Sequence, residues 1–108
     1  MYKLLKSKLK ERKEPINVAI AGSGWLGGGL ARELYRIDGI EPKVLIDLIP
    51  EKAVSVYREL GIDQNDVILV SKSSDLDTSK ASQKYVVLPN VKWINELDNI
   101  DLVYDATG

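Results

Sequence analysis

The sequence predicts an α/β fold organised around a doubly wound, mostly parallel sheet. Short apolar runs rich in Val, Ile and Leu alternate with amphipathic segments along the chain, which favours parallel βαβ units over a β-sandwich. A glycine-rich turn follows the first apolar run directly. The 108 residues, 44% hydrophobic and 29% charged, are typical of one globular domain and exclude a disordered or collagenous chain.

The strand pattern occurs five times, each time as a short run of apolar and β-branched residues. The predicted strands are residues 16–21, 43–46, 66–70, 85–88 and 101–105. We expect the first strand to be central, with the fourth and fifth among its neighbours, because its continuous apolar run suits a strand buried on both faces. Trp93 and Tyr104 are interpreted as core residues rather than catalytic ones.

The helix pattern begins in the glycine-rich turn. Apolar residues recur there at spacings of four, four and three, at Leu26, Leu30, Leu34 and Ile37. This spacing predicts a helix that ends near Gly39, where a glycine can adopt the left-handed conformation. A second predicted helix opens at Pro50 and ends before Gly61. Residues 73–84 and 90–99 are predicted to form two further helices.

The first fourteen residues differ in charge from the rest of the chain. Residues 1–14 hold six basic and two acidic side chains, a net charge of +4, whereas the remaining residues carry a net charge of −5. Leucines alternate with these lysines, which predicts a basic, solvated N-terminal helix whose leucines lie on the domain. Because no aromatic ladder accompanies the lysines, we do not expect nucleic acid as a partner.

Several classes of protein are excluded by what the sequence lacks. It contains neither cysteine nor histidine, which removes a thiol nucleophile, disulfides, the commonest metal ligands and the usual general base. We therefore predict no metal site. No apolar run approaches the roughly 20 residues of a membrane span, and the N-terminus lacks the apolar core of a signal peptide. The expectation is a cytoplasmic protein without a membrane partner.

The turn after the first strand carries a complete G-x-G-x-x-G fingerprint, which spans Gly22, Ser23, Gly24, Trp25, Leu26 and Gly27. Gly22 permits the tight turn, Gly24 leaves room for a pyrophosphate, and Gly27 lets the helix lie close to the sheet. The phosphates would meet unpaired N–H groups at the helix start. The Ser23 hydroxyl either donates to a phosphate or stabilises the turn, and Trp25 either offers its backbone N–H to the nucleotide or packs its ring over the helix start. Residues 15–108 are thus predicted to form a Rossmann-type dinucleotide-binding domain.

An acidic residue lies twenty positions after Gly27, at the end of the second predicted strand. This residue, Asp47, can accept hydrogen bonds from both hydroxyls of the adenosine ribose and would repel a 2′-phosphate. Leu48 and Ile49 supply no guanidinium for such a phosphate, so NAD is favoured over NADP, although Lys52 weakens the preference. The alternative is that Asp47 caps the helix at Pro50 and the glycines form an ordinary turn.

The end of the chain brings in a family resemblance. Asp105, Ala106, Thr107 and Gly108 end a predicted strand in Asp-Ala-Thr-Gly, which resembles the homoserine dehydrogenase-like oxidoreductases and, more narrowly, the group whose members carry a SAF domain. Residues 9–12, 47–53 and 100–104 also resemble that group. The resemblance implies that Thr107 and Gly108 lie beside the pyrophosphate and the nicotinamide-side ribose. The family's Gly-Lys pair, expected just before the strand predicted over 85–88, is replaced here by Gln83 and Lys84.

The sequence and the resemblance together favour an NAD-dependent oxidoreductase that acts on a small-molecule substrate. Because the family's proton-transfer groups lie in a second domain, the chain is interpreted as the truncated front of such an enzyme, with no catalytic residue of its own. A homo-oligomer is a further expectation, through an exposed last strand. The alternatives are a non-enzymatic NAD(H)-sensing module and a flavin or S-adenosylmethionine site, the latter disfavoured by Ala-Thr-Gly. Asp105 either faces the ligand or caps the following turn.

Overall fold

The computed structural model describes residues 14–22, 24–71 and 84–106. Five strands form one all-parallel sheet in the order β3-β4-β2-β1-β5. The strands are β1 (Ile16–Ala21), β2 (Ile40–Ile46), β3 (Val67–Leu69), β4 (Tyr85–Leu88) and β5 (Leu102–Asp105). The prediction of an α/β fold with a Rossmann-like, doubly wound sheet is confirmed. Two predicted helices lie almost entirely outside the described residues, namely the basic helix over 1–14 and the helix over 73–84. Only their last residues, Glu14 and Lys84, are described.

The strand order corrects one expectation. β1 is an interior strand, but β2 occupies the middle of the sheet, and β4 pairs with β2 rather than with β1. From β1 the chain moves outward to β2 and then to the edge strand β3, comes back to β4 between β3 and β2, and finally places β5 on the other side of β1. This reversal between β1 and β5 is a topological switch point, beside which open α/β sheets form their ligand crevice.

Two helices cover one face of the sheet. Helix α1 (Trp25–Arg36) and helix α2 (Pro50–Glu59) are joined by the Arg32–Glu59 ion pair at 2.5 Å. Their inner surfaces pack on Ile20, Leu45 and Val87, which are fully buried. Both helices match their predicted spans closely, and Gly39 and Gly61 follow them with positive φ angles of 90° and 83°.

The other face of the sheet is covered by a shorter element. The segment Val91–Glu96 is a 3₁₀ helix rather than the longer helix predicted over 90–99. Its Trp93 and Ile94 pack against the buried Val44, Val86 and Leu88, which confirms the core role of Trp93. The Asn90 side chain accepts a hydrogen bond from the N–H of Lys92 at 3.0 Å and so caps this segment.

Strand β2 begins three residues earlier than predicted and contains a proline. Pairing with β1 advances from Asn17–Glu41 to Ala19–Val44, so β2 holds one extra residue beside Pro42. A proline is tolerated at such a bulge because the ladder there needs no N–H donor. The Pro42 carbonyl accepts a 2.7 Å hydrogen bond from the hydroxyl of the buried Tyr57.

Strand β5 lies at one edge of the sheet and pairs with β1. Its apolar side chains are exposed: Leu102 by 57%, Val103 by 47% and Tyr104 by 44%. The expected core role of Tyr104 is therefore wrong, since an edge strand receives neighbours on only one side. The predicted exposed apolar edge is confirmed, because these residues alternate between the two faces of the sheet and both faces are open to solvent.

Candidate functional site

The carboxyl ends of β1 and β2 are joined at the glycine-rich turn. Gly22 leaves β1 with a φ of 93°, a left-handed conformation that an L side chain rarely adopts. Its N–H donates to the carbonyl of Ile46 at 2.6 Å, which ties the turn to the last residue of β2. Gly22 therefore performs the role predicted for it, because it turns the chain sharply into α1.

Gly27, the third residue of α1, lies directly against this turn. A Cβ placed on it would overlap the carbonyl oxygen of Gly22 and lie 2.7 Å from the Gly22 carbonyl carbon. It would also lie 3.3 Å from the Cβ of Ala106, which follows β5. Only a glycine lets α1 approach β1 and β5 this closely, as predicted.

Gly24 has the opposite environment. It is the N-cap residue of α1 with a φ of −71°, and its carbonyl accepts a 2.8 Å hydrogen bond from the N–H of Gly28. Among the described residues other than its chain neighbours, no atom lies within 4 Å of a Cβ placed on Gly24. The start of α1 is thus open on the side of Gly24, where the first N–H groups and the positive end of the helix dipole can receive an anion.

A cavity of about 350 Å³ opens beside this turn, at the carboxyl ends of four strands. It is lined by Ala21, Gly22, Ile46, Asp47, Leu48, Pro89, Asn90, Val91, Val103 and Asp105. Its walls are mainly apolar, with Leu48 86% exposed at its rim. Three lining residues, Pro89, Asn90 and Val91, were not predicted from the sequence, although a position directly after the end of a parallel strand is a signal for the ligand-binding edge.

Asp47 follows β2 and lines this cavity. Its Oδ1 accepts a 2.8 Å hydrogen bond from the N–H of Ile49, directly before α2, and its own N–H donates to the carbonyl of Leu88 at 3.0 Å. The capping interpretation of Asp47 thus has a contact that supports it. The same hydrogen bonds hold Asp47 at the cavity wall.

The structure brings four of the predicted site residues to one edge of the sheet, namely Gly22, Gly24, Gly27 and Asp47. Trp25 and Leu26 are the first two residues of α1, so their backbone N–H groups belong to its open first turn. Ser23, Thr107 and Gly108 lie outside the described residues. Asp105 lines the cavity.

The titratable groups with shifted pKa values lie towards the opposite edge of the sheet. Burial, with the nearby Tyr85 and Glu41, raises the pKa of Tyr57 well above its usual value. The Tyr85 hydroxyl donates to Glu41 at 2.6 Å, and burial together with this contact raises the pKa of Tyr85 strongly. Burial lowers the pKa of Lys43, whose ammonium lies 5.6 Å from the centre of the Tyr85 ring. Tyr57, Tyr85 and Lys43 are not among the residues that line the cavity.

Over residues 14–22, 24–71 and 84–106, no three acidic side chains come together as they would around a metal ion. None of the helices in this described part has the length and hydropathy needed to cross a membrane. Neither finding identifies a ligand.

The fold and the edge of the sheet define a class of protein: an α/β domain with a Rossmann-like parallel sheet and a glycine-rich strand-to-helix turn at its switch point. Comparison of the chain with known protein families and with curated proteins finds no match. The chain's function is therefore argued from its own residues.

Proposed function

We propose that this chain is the dinucleotide-binding domain of an NAD-dependent oxidoreductase. The observation that carries the proposal is the contrast between two glycines of one turn. Gly27 is needed for close packing of α1, whereas the space around Gly24 is open at the helix start. Packing explains Gly27, whereas Gly24 leaves the backbone at the start of α1 accessible to a ligand, next to a turn that borders the cavity at Gly22 and Asp47.

The residues present fit a dinucleotide in three places. The pyrophosphate would lie against the open first turn of α1, where N–H groups and the helix dipole favour negative charge. The adenosine ribose would donate its hydroxyls to Asp47, and apolar lining residues such as Leu48 and Val91 would supply contacts for the adenine. A 2′-phosphate would meet the Asp47 carboxylate, so we infer that NAD binds more tightly than NADP.

When bound, the nicotinamide supplies hydride transfer, and the part of this chain is to hold and orient it. The titratable side chains among the described residues that line the cavity are two carboxylates, Asp47 and Asp105, and we assign no catalytic residue among the described ones. We further propose that the activity is of the homoserine dehydrogenase-like kind, on the strength of the Asp-Ala-Thr-Gly resemblance.

The experiment compares the same added side chain at two glycines. Gly24→Val places two methyl groups where the pyrophosphate would approach, and Gly29→Val places them on α1 at a position where a Cβ also meets nothing within 4 Å. Calorimetric titration with NADH should show binding that is weakened at least roughly tenfold in Gly24→Val, since close backbone approach to the phosphates is lost. Gly29→Val should bind like the parent protein.

Circular dichroism and thermal melting of both variants verify that each remains folded. Parent-like binding by a folded Gly24→Val protein would contradict the proposal, because the loop would then be only a turn. Failure of the parent protein to bind NADH or NAD⁺ at millimolar concentration would contradict it as well.

A further inference from the structure

We infer that Asn90 recognises the adenine of the dinucleotide, by donating a hydrogen bond from its side-chain amide to a ring nitrogen of the base. The inference rests on the proposed function and adds a polar, specificity-determining contact to the apolar ones. Asn90 is the second residue after β4, and it lines the cavity together with Asp47 and Leu48.

Strand order places Asn90 where the base would lie. The pyrophosphate would lie at the start of α1, which follows β1, and the adenosine ribose would lie at Asp47, which follows β2. Because the sheet continues in the order β1-β2-β4, a base beyond the ribose reaches the end of β4. Leu88, the last residue of β4, pairs with Ile46, and its carbonyl accepts the 3.0 Å hydrogen bond from the N–H of Asp47. The chain thus holds the segment that carries Asn90 next to Asp47.

The hydrogen-bonding groups of the lining favour Asn90 as the residue that contacts the base. Among the described residues that line the cavity, the polar side chains are those of Asp47, Asn90 and Asp105. An ionised carboxylate only accepts hydrogen bonds, whereas a side-chain amide also donates them. Ring nitrogens of adenine such as N3 and N7 are acceptors and therefore need a donor. Within the described lining, Asn90 has the side chain that supplies one.

A contact within the chain orients this amide. The Oδ1 of Asn90 accepts a 3.0 Å hydrogen bond from the N–H of Lys92, and the Asn90 carbonyl accepts one from the N–H of Trp93 at 3.3 Å. The oxygen of the amide is thus used as the cap of the 3₁₀ helix, and Nδ2 is the atom through which the amide donates to a ligand. A donor that is held before binding loses little conformational entropy when the base arrives.

The test separates the donor from the cap. Asn90→Ser and Asn90→Asp both keep a side-chain oxygen, and Asn, Asp and Ser are nearly equal as N-cap residues. Asp has no amide donor, and the Ser hydroxyl ends one bond short of the position of Nδ2. Asn65→Ser is the matched control, because Asn65 is an exposed residue of the 3₁₀ helix Gln64–Asp66 and is not among the residues that line the cavity.

Calorimetric titration of the full chain uses ADP-ribose, which contains the adenosine and pyrophosphate parts alone, and NADH. Both ligands should bind roughly fivefold more weakly to Asn90→Ser, the effect of one net hydrogen bond, and Asn65→Ser should bind like the parent protein. Asn90→Asp should show at least this loss, also at about 0.5 M salt, where its added charge is screened. The Tm of Asn90→Ser should be parent-like, because the cap is retained.

A second measurement observes the acceptor directly. When NAD⁺ labelled with ¹⁵N in its adenine binds to the parent protein, we expect one ring-nitrogen resonance to shift. That shift should be absent on binding to Asn90→Ser at saturating protein.

Parent-like affinity for ADP-ribose in a folded Asn90→Ser protein would overturn this inference and leave the proposed function standing. Ring-nitrogen shifts that are the same in both proteins would do so too. A loss seen in Asn90→Asp at low salt alone would also overturn it, since the added charge and not the missing donor would then be the cause. Absence of NADH binding to the parent protein would instead overturn the proposed function.

Discussion

The contact between Gly27 and Gly22 makes a sharp prediction about stability. Alanine at position 27 would place its Cβ inside the carbonyl of Gly22, 2.7 Å from the carbonyl carbon, where a separation under 3.0 Å is essentially never seen. The obstructing atoms belong to the backbone of a turn that is itself hydrogen-bonded to Ile46. No rotamer change relieves the overlap, so α1 must move away from the sheet.

The expected cost follows from two opposing terms. Overpacking a close-packed interior costs about 1–3 kcal/mol, and a rigid backbone neighbour places this site at the upper end of that range. Replacing a glycine by alanine within a helix returns about 1 kcal/mol. We expect Gly27→Ala to lower the free energy of unfolding by about 2 kcal/mol and the Tm by roughly 10 °C.

Gly29→Ala is the matched control, because it adds the same methyl group two residues further along α1, where nothing lies within 4 Å. It should raise the free energy of unfolding by about 0.5–1 kcal/mol through helix propensity alone. Urea denaturation followed by circular dichroism measures both variants. A Gly27→Ala protein as stable as the parent, or as stable as Gly29→Ala, would refute the close packing of α1 on the turn.

Three further predictions concern other parts of the molecule. Asp47→Ser combined with Leu48→Arg should relax or invert the preference for NAD over NADP, as titration with both would show, and equal affinities in the parent protein would refute the role of Asp47. Tyr57→Phe should cost about 1–2 kcal/mol at pH 7, because the Pro42 carbonyl loses its buried donor. Since the pKa of Tyr57 is raised in the folded state, its contribution to stability is complete below pH ~10 and is lost at higher pH. The free energy of unfolding, measured by urea denaturation at each pH, should therefore decrease less steeply above pH ~10 in Tyr57→Phe than in the parent. The exposed edge of β5 should let the chain self-associate, and Val103→Lys should abolish this in sedimentation experiments, whereas a parent chain monomeric at high concentration would contradict it.

The local signals in the sequence were sufficient for the turn and the two helices. Gly22, Gly27 and Gly39 occupy positions where the backbone alone requires glycine or favours it, and Pro50 opens α2 as its fixed φ allows. Such signals act over a few residues, so they survive in any tertiary arrangement. The prediction that Asp47 lies beside the glycine turn belongs to the same group, because two adjacent parallel strands must end at one edge.

Strand order depended on contacts between distant segments. The apolar runs of β1 and β2 are equally suited to a central position, and β2 takes it because β4 pairs along its free edge. The same pairing leaves β5 at the rim, which exposes Tyr104 despite its strand-like surroundings in the sequence. The bulge at Pro42 likewise arises from the register between β1 and β2, which no local pattern records.

The cavity likewise combines walls that a local sequence motif predicts with walls that depend on distant segments. Its glycine and Asp47 walls follow from a motif whose spacing reflects the geometry of one strand, one turn and one helix. Its remaining walls come from the end of β4 and from β5, segments separated from the turn by more than sixty residues in the chain. They meet there because the parallel sheet brings its carboxyl ends to one edge, and that alignment exists only once all five strands have paired.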